Sequence, residues 1–309
     1  RKEVPHEAGH ETNSLASASV VTDGKRLYAS FGSRGIYCYD LDGKKVWETD
    51  LGEMETRGSF GEGATPALHG DTLVVPWDHE GPSFVVALDA KTGDEKWRVD
   101  RDEPTTWATP LVVPRGDGFQ VVLNGTNRVR SYDIETGELR WECGGQAMNP
   151  IPTPVADDER VYAMTGFRGF ALYAIPLDAT GDLTDTDRIA WKRDEGTPYI
   201  SSPVLSQGLL YITKDRNAIL SCVEAETGKE VYANERLPGL GILYSSPVAA
   251  AGRLYFFDRD GNSVVVNEGR TFEVLAENSL DETVDASPAI IGDTMYVRGE
   301  KHLYAIAEK

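Results

Sequence analysis

The sequence predicts an all-β fold, a seven-bladed β-propeller of four-stranded antiparallel blades occupying residues 1–309 as one domain. Three observations predict it. A unit recurs along the chain with a period of about 40–50 residues, the spacing of propeller blades. Within each unit, short apolar runs with two-residue alternation are bounded by Gly, Asp and Asn, as strands and hairpins require. No segment holds a helical period over three turns.

Each unit opens on a small residue, Ser or Thr, and then Pro: Ala64-Thr65-Pro66, Ala108-Thr109-Pro110, Pro152-Thr153-Pro154, Ser201-Ser202-Pro203, Ser245-Ser246-Pro247 and Ala286-Ser287-Pro288, with Ser17-Ala18-Ser19 in the first. A Pro near the start of a first strand is tolerated because its missing N–H is not needed there. A second strand rich in Val, Leu and Tyr follows, as in Gly252-Arg253-Leu254-Tyr255-Phe256-Phe257. The third and fourth strands form a hairpin ending on an aromatic residue. It reads ALDAKTGDEKW over residues 87–97, SYDIETGELRW over 131–141, CYDLDGKKVW over 38–47 and CVEAETGKEVY over 222–232. The Thr-Gly and Asp-Gly pairs supply the positive φ of a tight turn. The fourth copy is interrupted between Ile175 and Trp191, and the sixth, Val266 to Leu275, is degenerate. The blades are expected at 16–52, 63–103, 105–145, 148–198, 199–237, 243–282 and 285–309. The last lacks a fourth strand. Arg1–Pro5 resembles the segment after each Trp and is expected to close that blade, the alternative being an eighth blade in a longer protein.

The chain carries 50 acidic and 31 basic residues, a net charge of −19. Such a surface repels a phosphate backbone, so a nucleic-acid partner is not expected. No apolar run is long enough to span a membrane, and a monomer is expected. The cysteines Cys38, Cys143 and Cys222 are too far apart and too few for a disulfide framework; they read as small buried hydrophobes in strands.

The pattern A-x-D-x-x-T-G-x-x-x-W, complete at Ala87–Trp97 and nearly so at Ser131–Trp141, resembles the pyrroloquinoline-quinone (PQQ)-like propeller repeat. That repeat is shared by quinoprotein alcohol dehydrogenases and BamB-like outer-membrane assembly proteins. The resemblance covers essentially the whole chain. It implies that Trp47, Trp97, Trp141, Trp191 and, by substitution, Tyr232 dock against the next blade. It also implies an extracytoplasmic protein, periplasmic or secreted. The dehydrogenases hold their quinone with adjacent cysteines, a stacking Trp, a calcium or lanthanide ion and a catalytic Asp. No two cysteines are adjacent here, so PQQ is not expected as a cofactor.

Two strings invite a metal reading. His6-Glu7-Ala8-Gly9-His10 has the His-Glu-x-x-His spacing of zinc peptidases, which needs a helix to bring both His to one metal; Pro5 and Gly9 argue for a loop. Asp258-Arg259-Asp260-Gly261-Asn262 looks like the start of a calcium loop but lacks a bidentate acid at the required distance, so an Asp-Gly turn explains it. No metal and no catalytic residue are assigned.

A ligand or partner is expected on the face formed by inter-blade loops and by loops joining second and third strands. The first set presents Trp107, Asn149, Tyr199, Tyr244 and Asp285. The second presents Arg34, Trp77, His79, Arg128, Arg168, Arg216, Arg259 and Arg298. An Arg in nearly every such loop of an acidic protein suggests a positive rim for carboxylate, sulfate or acidic partner groups. The opposing reading is exposed turns whose arginines pair with nearby acids. Trp77 and Trp107 read as exposed anchors, although Trp107 could pack between blades. The function expected is a non-catalytic binding or scaffold propeller of the bacterial cell envelope, taking a protein or glycan partner at the central funnel. The alternative is an enzyme using the funnel, a degenerate quinoprotein dehydrogenase or a carbohydrate-active enzyme.

Overall fold

In a computed structural model that describes His10 and residues 17–307, the repeat becomes seven consecutive antiparallel sheets, the blades of a seven-bladed β-propeller. Apart from one strand added to the edge of blade 3, each sheet is a meander in sequence order. Blade 2 is representative, with strands Ala67–His69, Thr72–Trp77, Ser83–Asp89 and Glu95–Arg101. Blade 7 shows three strands, Ala289–Ile291, Thr294–Arg298 and Leu303–Ala307. Arg1–Pro5, proposed above as its fourth strand, lies outside the described residues, as do His6 and Glu7 of the zinc-like string. Among the described residues no helix is long and apolar enough to cross a membrane.

The chain divides into two compact units. The first comprises Arg1–Pro154 with Leu177–Arg188 and holds blades 1 to 3; the second comprises Val155–Pro176 with Ile189–Lys309 and holds blades 4 to 7. In both, the core lies between neighbouring blades. In the first unit, Leu73, Val75 and Trp77 pack with Tyr28, Ile36, Cys38 and Trp47 of blade 1. The intervening Val74 points the other way and packs with Val121 and Tyr132 of blade 3. A strand buried on both faces needs an unbroken apolar run, and Thr72–Trp77 is buried throughout. In the second unit Tyr211, Leu220 and Cys222 pack with Leu254 and Phe256.

The repeat motif is a docking device. The indole N–H of Trp47 donates to the Ala90 carbonyl at 3.1 Å, Trp97 to Ile134 at 2.9 Å and Trp191 to Ala225 at 2.9 Å. Each accepting carbonyl belongs to the hairpin turn of the following blade. The turn glycine three residues on, Gly93, Gly137 or Gly228, lies against the ring: a Cβ there would fall 2.7 Å from the Trp atoms. All three have positive φ, so glycine is required twice over. The leading small residue of the motif is the cross-strand partner of the aromatic: Cys38 opposite Trp47, Ala87 opposite Trp97, Ser131 opposite Trp141, Ala174 opposite Trp191 and Cys222 opposite Tyr232. Two of the three cysteines therefore occupy the position that other repeats fill with Ala or Ser. The motif Asp shapes the turn, Asp89 accepting from the N–H groups of Lys91 and Thr92.

Trp141 departs from this expectation. The fourth repeat has a longer segment where the Thr-Gly turn would be, and Gly181–Asp182 from that segment pairs in parallel with the edge strand Leu139–Gly144, giving blade 3 a fifth strand. Trp141 donates to the side-chain Oε1 of Gln120 at 3.2 Å, and the Gln120 Nε2 donates to Leu177 O at 2.8 Å. A glutamine thus relays the contact that the other tryptophans make directly.

Gly137→Ala is expected to destabilise the protein by about 2–4 kcal/mol, combining positive-φ strain with overpacking against Trp97. Gly116→Ala has comparable φ but open space around its Cβ and should cost about 1 kcal/mol. Urea denaturation of both variants checks the difference; equal losses would deny the ring contact.

Candidate functional site

The loops joining second and third strands meet the inter-blade loops, and buried carboxylates hold the two sets together. In the first unit Asp78 takes two hydrogen bonds from Arg101, at 2.8 and 3.0 Å, and a third from the Thr106 hydroxyl at 2.8 Å. Arg101 and Asp78 are both sealed from solvent. Glu103 accepts from the N–H groups of Asn127 and Arg128 and from the Arg130 guanidinium at 2.7 Å. In the second unit Asp215 accepts from the N–H groups of Ile200 and Ser201, and Asp258 from those of Gly241 and Asn262. Loop N–H groups taken out of water need such acceptors. Asp78, Glu103 and Asp215 escaped the sequence reading, and Asp258 entered it only as part of the calcium-like string. Their visible signal is an acid immediately after an apolar second strand, Trp77-Asp78 and Phe257-Asp258.

Several expected face residues serve the same purpose. Trp77 is a correction: it is 2% exposed, stacked with Phe84 in the core, because strand alternation puts it on the face of Leu73 and Val75. His79 is buried, with Nδ1 accepting from the N–H groups of Glu55 and Gly81 and Nε2 directed at the Pro82 carbonyl. Asn149 is 4% exposed and accepts from Arg57. Trp107 is half-buried; its indole N–H donates to Gly61 O at 2.9 Å and its ring meets Phe60 edge-on. Arg34 closes a short turn, Gly32–Arg34, and its carbonyl accepts from the Tyr37 hydroxyl. Arg128 pairs with Asp182 at 3.0 Å and Glu142 at 3.3 Å.

The second unit brings the two predicted sets of residues together. Tyr199 stacks on Phe167 with centroids 4.6 Å apart. The Arg168 guanidinium lies 5.3 Å from the Phe167 ring and that of Arg216 5.1 Å from Tyr199. Both arginines and Phe170 are exposed, and among the described residues no ion pair joins Arg168 or Arg216 to a carboxylate. Stacking leaves the guanidinium edges, which carry the N–H donors, facing outward. Farther round, Arg259 lies 4.1 Å over Tyr244 and is held bidentately by Asp285, at 2.7 and 3.1 Å. The Arg298 side chain donates to the Gly299 and His302 carbonyls. The predicted positive rim is thus partly neutralised, with Arg168 and Arg216 as its open part.

The calcium-like string is a turn, with the Gly261 N–H donating to Asp258 O at 3.2 Å. Among the described residues no group of three or more His, Cys, Asp or Glu side chains could hold a metal ion. Cys38, Cys143 and Cys222 are each buried and separate, on blades 1, 3 and 5.

Comparison with known proteins adds a family. A model described as the outer membrane protein assembly factor BamB matches residues 5–234. BamB of Yersinia pestis is 24% identical over 305 residues, covering 93% of this chain and 70% of that protein. The quinohemoprotein alcohol dehydrogenase ADH-IIG of Pseudomonas putida is 27% identical over 253 residues, covering 73% of this chain and 33% of the enzyme. The crystal structure of BamB from Moraxella catarrhalis superposes with a TM-score of 0.54 at 15% identity, covering 95% of this chain and 94% of that one, a likeness of fold.

Two outcomes are expected. Asp78→Ala strands a buried guanidinium and should cost about 3–5 kcal/mol, with Asp78→Ala/Arg101→Met recovering much of the loss in thermal unfolding. Burial pushes the Asp215 carboxyl above its ordinary range despite the backbone donors around it. The folded state therefore holds that proton more tightly, and wild-type stability falls as pH rises from the ordinary carboxylate pKa through the raised one. Asp215→Asn should remove that segment of the stability–pH profile; an unchanged profile would deny it.

Proposed function

The chain belongs to the outer membrane protein assembly factor BamB family, and from that premise we propose that it is a non-catalytic binding propeller of the cell envelope. It receives a protein partner on the loop face of blades 4 and 5 and works outside the cytoplasm. The observation that carries this reading is the Phe167–Tyr199 stack with Arg168 and Arg216 flanking it. Rigid aromatic surface with outward guanidinium donors is the composition of a binding hot spot, and the donors suit partner carboxylates. Arg259 is held by Asp285, and Arg128 by Asp182 and Glu142, which suits a rigid scaffold.

The test is site-specific photo-crosslinking in the envelope fraction of the source cells. A benzoylphenylalanine at position 170 should give a discrete adduct, reduced about tenfold by Arg168→Glu/Arg216→Glu, a loss of about 1.4 kcal/mol. The same probe at Leu41, an exposed position on blade 1, is the control. Equal adducts from both positions, or indifference to the charge reversal, would sink the proposal.

The match to a quinohemoprotein dehydrogenase supports a second reading, an enzyme that takes PQQ. Titration with PQQ and calcium, followed by absorbance and melting temperature, distinguishes the two. Saturable stabilisation with dye-linked dehydrogenase activity would replace the binding reading; no shift in melting temperature is the expected outcome.

A further inference from the structure

The long connection between blades 1 and 2 does not run directly to its next strand. Residues 53–62 fold back as a strap. One end is fixed by the Met54 N–H donating to Ser33 Oγ at 2.7 Å and the Glu55 N–H to His79 Nδ1 at 3.1 Å. The other is fixed by Trp107, whose indole N–H donates to Gly61 O. Between them a short turn, Arg57–Ser59, has Gly58 and Ser59 both at positive φ.

This turn delivers Arg57 to three acceptors from three other loops. Its guanidinium donates to Asn149 Oδ1 at 3.1 Å and pairs with Glu80 Oε1 at 3.3 Å, and its backbone N–H donates to Thr105 Oγ1 at 2.9 Å. The acceptors are organised without Arg57. Glu80 Oε1 receives the Thr105 N–H at 3.2 Å and the Thr105 hydroxyl at 2.8 Å. Asn149 and Thr105 are 4% and 1% exposed, and Asn149 sits at a positive φ of 55° that few residues other than Gly and Asn adopt. Burial works against the Glu80 charge, yet the Thr105 hydrogen bonds and the Arg57 charge hold its carboxyl below the usual range.

We propose that Glu80 and Asn149, with Thr105 orienting the carboxylate, form a recognition site for a guanidinium or alkylammonium group, and that the Arg57 side chain of the strap is its resident occupant, displaced when a basic side chain of a ligand takes its place. A carboxylate fixed by the Thr105 hydroxyl and N–H, beside a neutral amide oxygen, is a cation-accepting pair. In an exposed geometry the Arg57 pair is weak enough to exchange: the side chains of Arg57 and Glu80 retain 30% and 32% of their exposure. This site lies in the first unit and is independent of the Arg168–Arg216 surface, so either can fail without the other.

Chemical complementation with methylguanidine tests it. Arg57→Ala empties the set, and millimolar methylguanidine should raise its melting temperature saturably while leaving the wild type unchanged, because the tethered guanidinium outcompetes the free one. Arg57→Ala/Glu80→Gln should lose that response at least tenfold. Arg57→Gln, which keeps the length and polarity of the strap side chain, serves if the alanine variant does not fold. Protection of wild type and variant alike, or a response that survives Glu80→Gln, would overturn the proposal, as would no saturable response in either Arg57 variant.

Discussion

One contact organises the blades: an indole laid flat on a glycine turn, its N–H on a carbonyl three residues upstream. The contact joins neighbouring sheets through a ring large enough to exclude water and a hydrogen bond that fixes its orientation. It also dictates residues elsewhere. The turn must be glycine because the ring occupies the place of a Cβ, and the residue across the strand must be small because the indole begins above it. The Asp that opens the turn sets its geometry. The A-x-D-x-x-T-G-x-x-x-W spacing is therefore a single steric statement spread over eleven positions, and its copies align because the same joint is rebuilt at Trp47, Trp97 and Trp191.

That locality explains what could be read from the chain. Strand order, hairpins and the docking tryptophans follow from periodicity and turn chemistry within one repeat, so the architecture was legible. The loop face was legible only in outline. Whether an Arg is open or paired depends on loops tens of residues away: Arg259 has Asp285 as a neighbour and Arg216 has Tyr199, and nothing local distinguishes them. Trp77 is expected among the loops joining second and third strands. Strand alternation, counted from Leu73, would have put it in the core. The degenerate joint at Tyr232 shows the limit from the other side. The aromatic is retained and packs edge-on with Phe272, while the turn that should receive it has lost the Thr-Gly pair.

The acidic balance of the chain has a structural counterpart. A propeller face concentrates loop ends, and each brings N–H groups that strands do not satisfy. Glu103, Asp215 and Asp258 meet that demand from positions with little solvent access, and Asp78 ties down Arg101 and Thr106 in the same way. They are carboxylates serving as acceptors in scaffolding, so their number says nothing about proton transfer. On the loop face, Arg168 and Arg216 reach the surface beside the Phe167 and Tyr199 rings rather than beside acids.

The relay at blade 3 bears on how this protein can be taken apart. Its fifth strand comes from the following repeat, and Gln120 ties Trp141 to Leu177 across that borrowed segment. Repeats are usually treated as interchangeable modules, cut at their sequence boundaries. Here a boundary drawn between the third and fourth copies would divide one sheet. A chimaera or a shortened propeller made from this chain must move residues 111–193 as a single cassette, whereas the copies flanking it end where their sequences do.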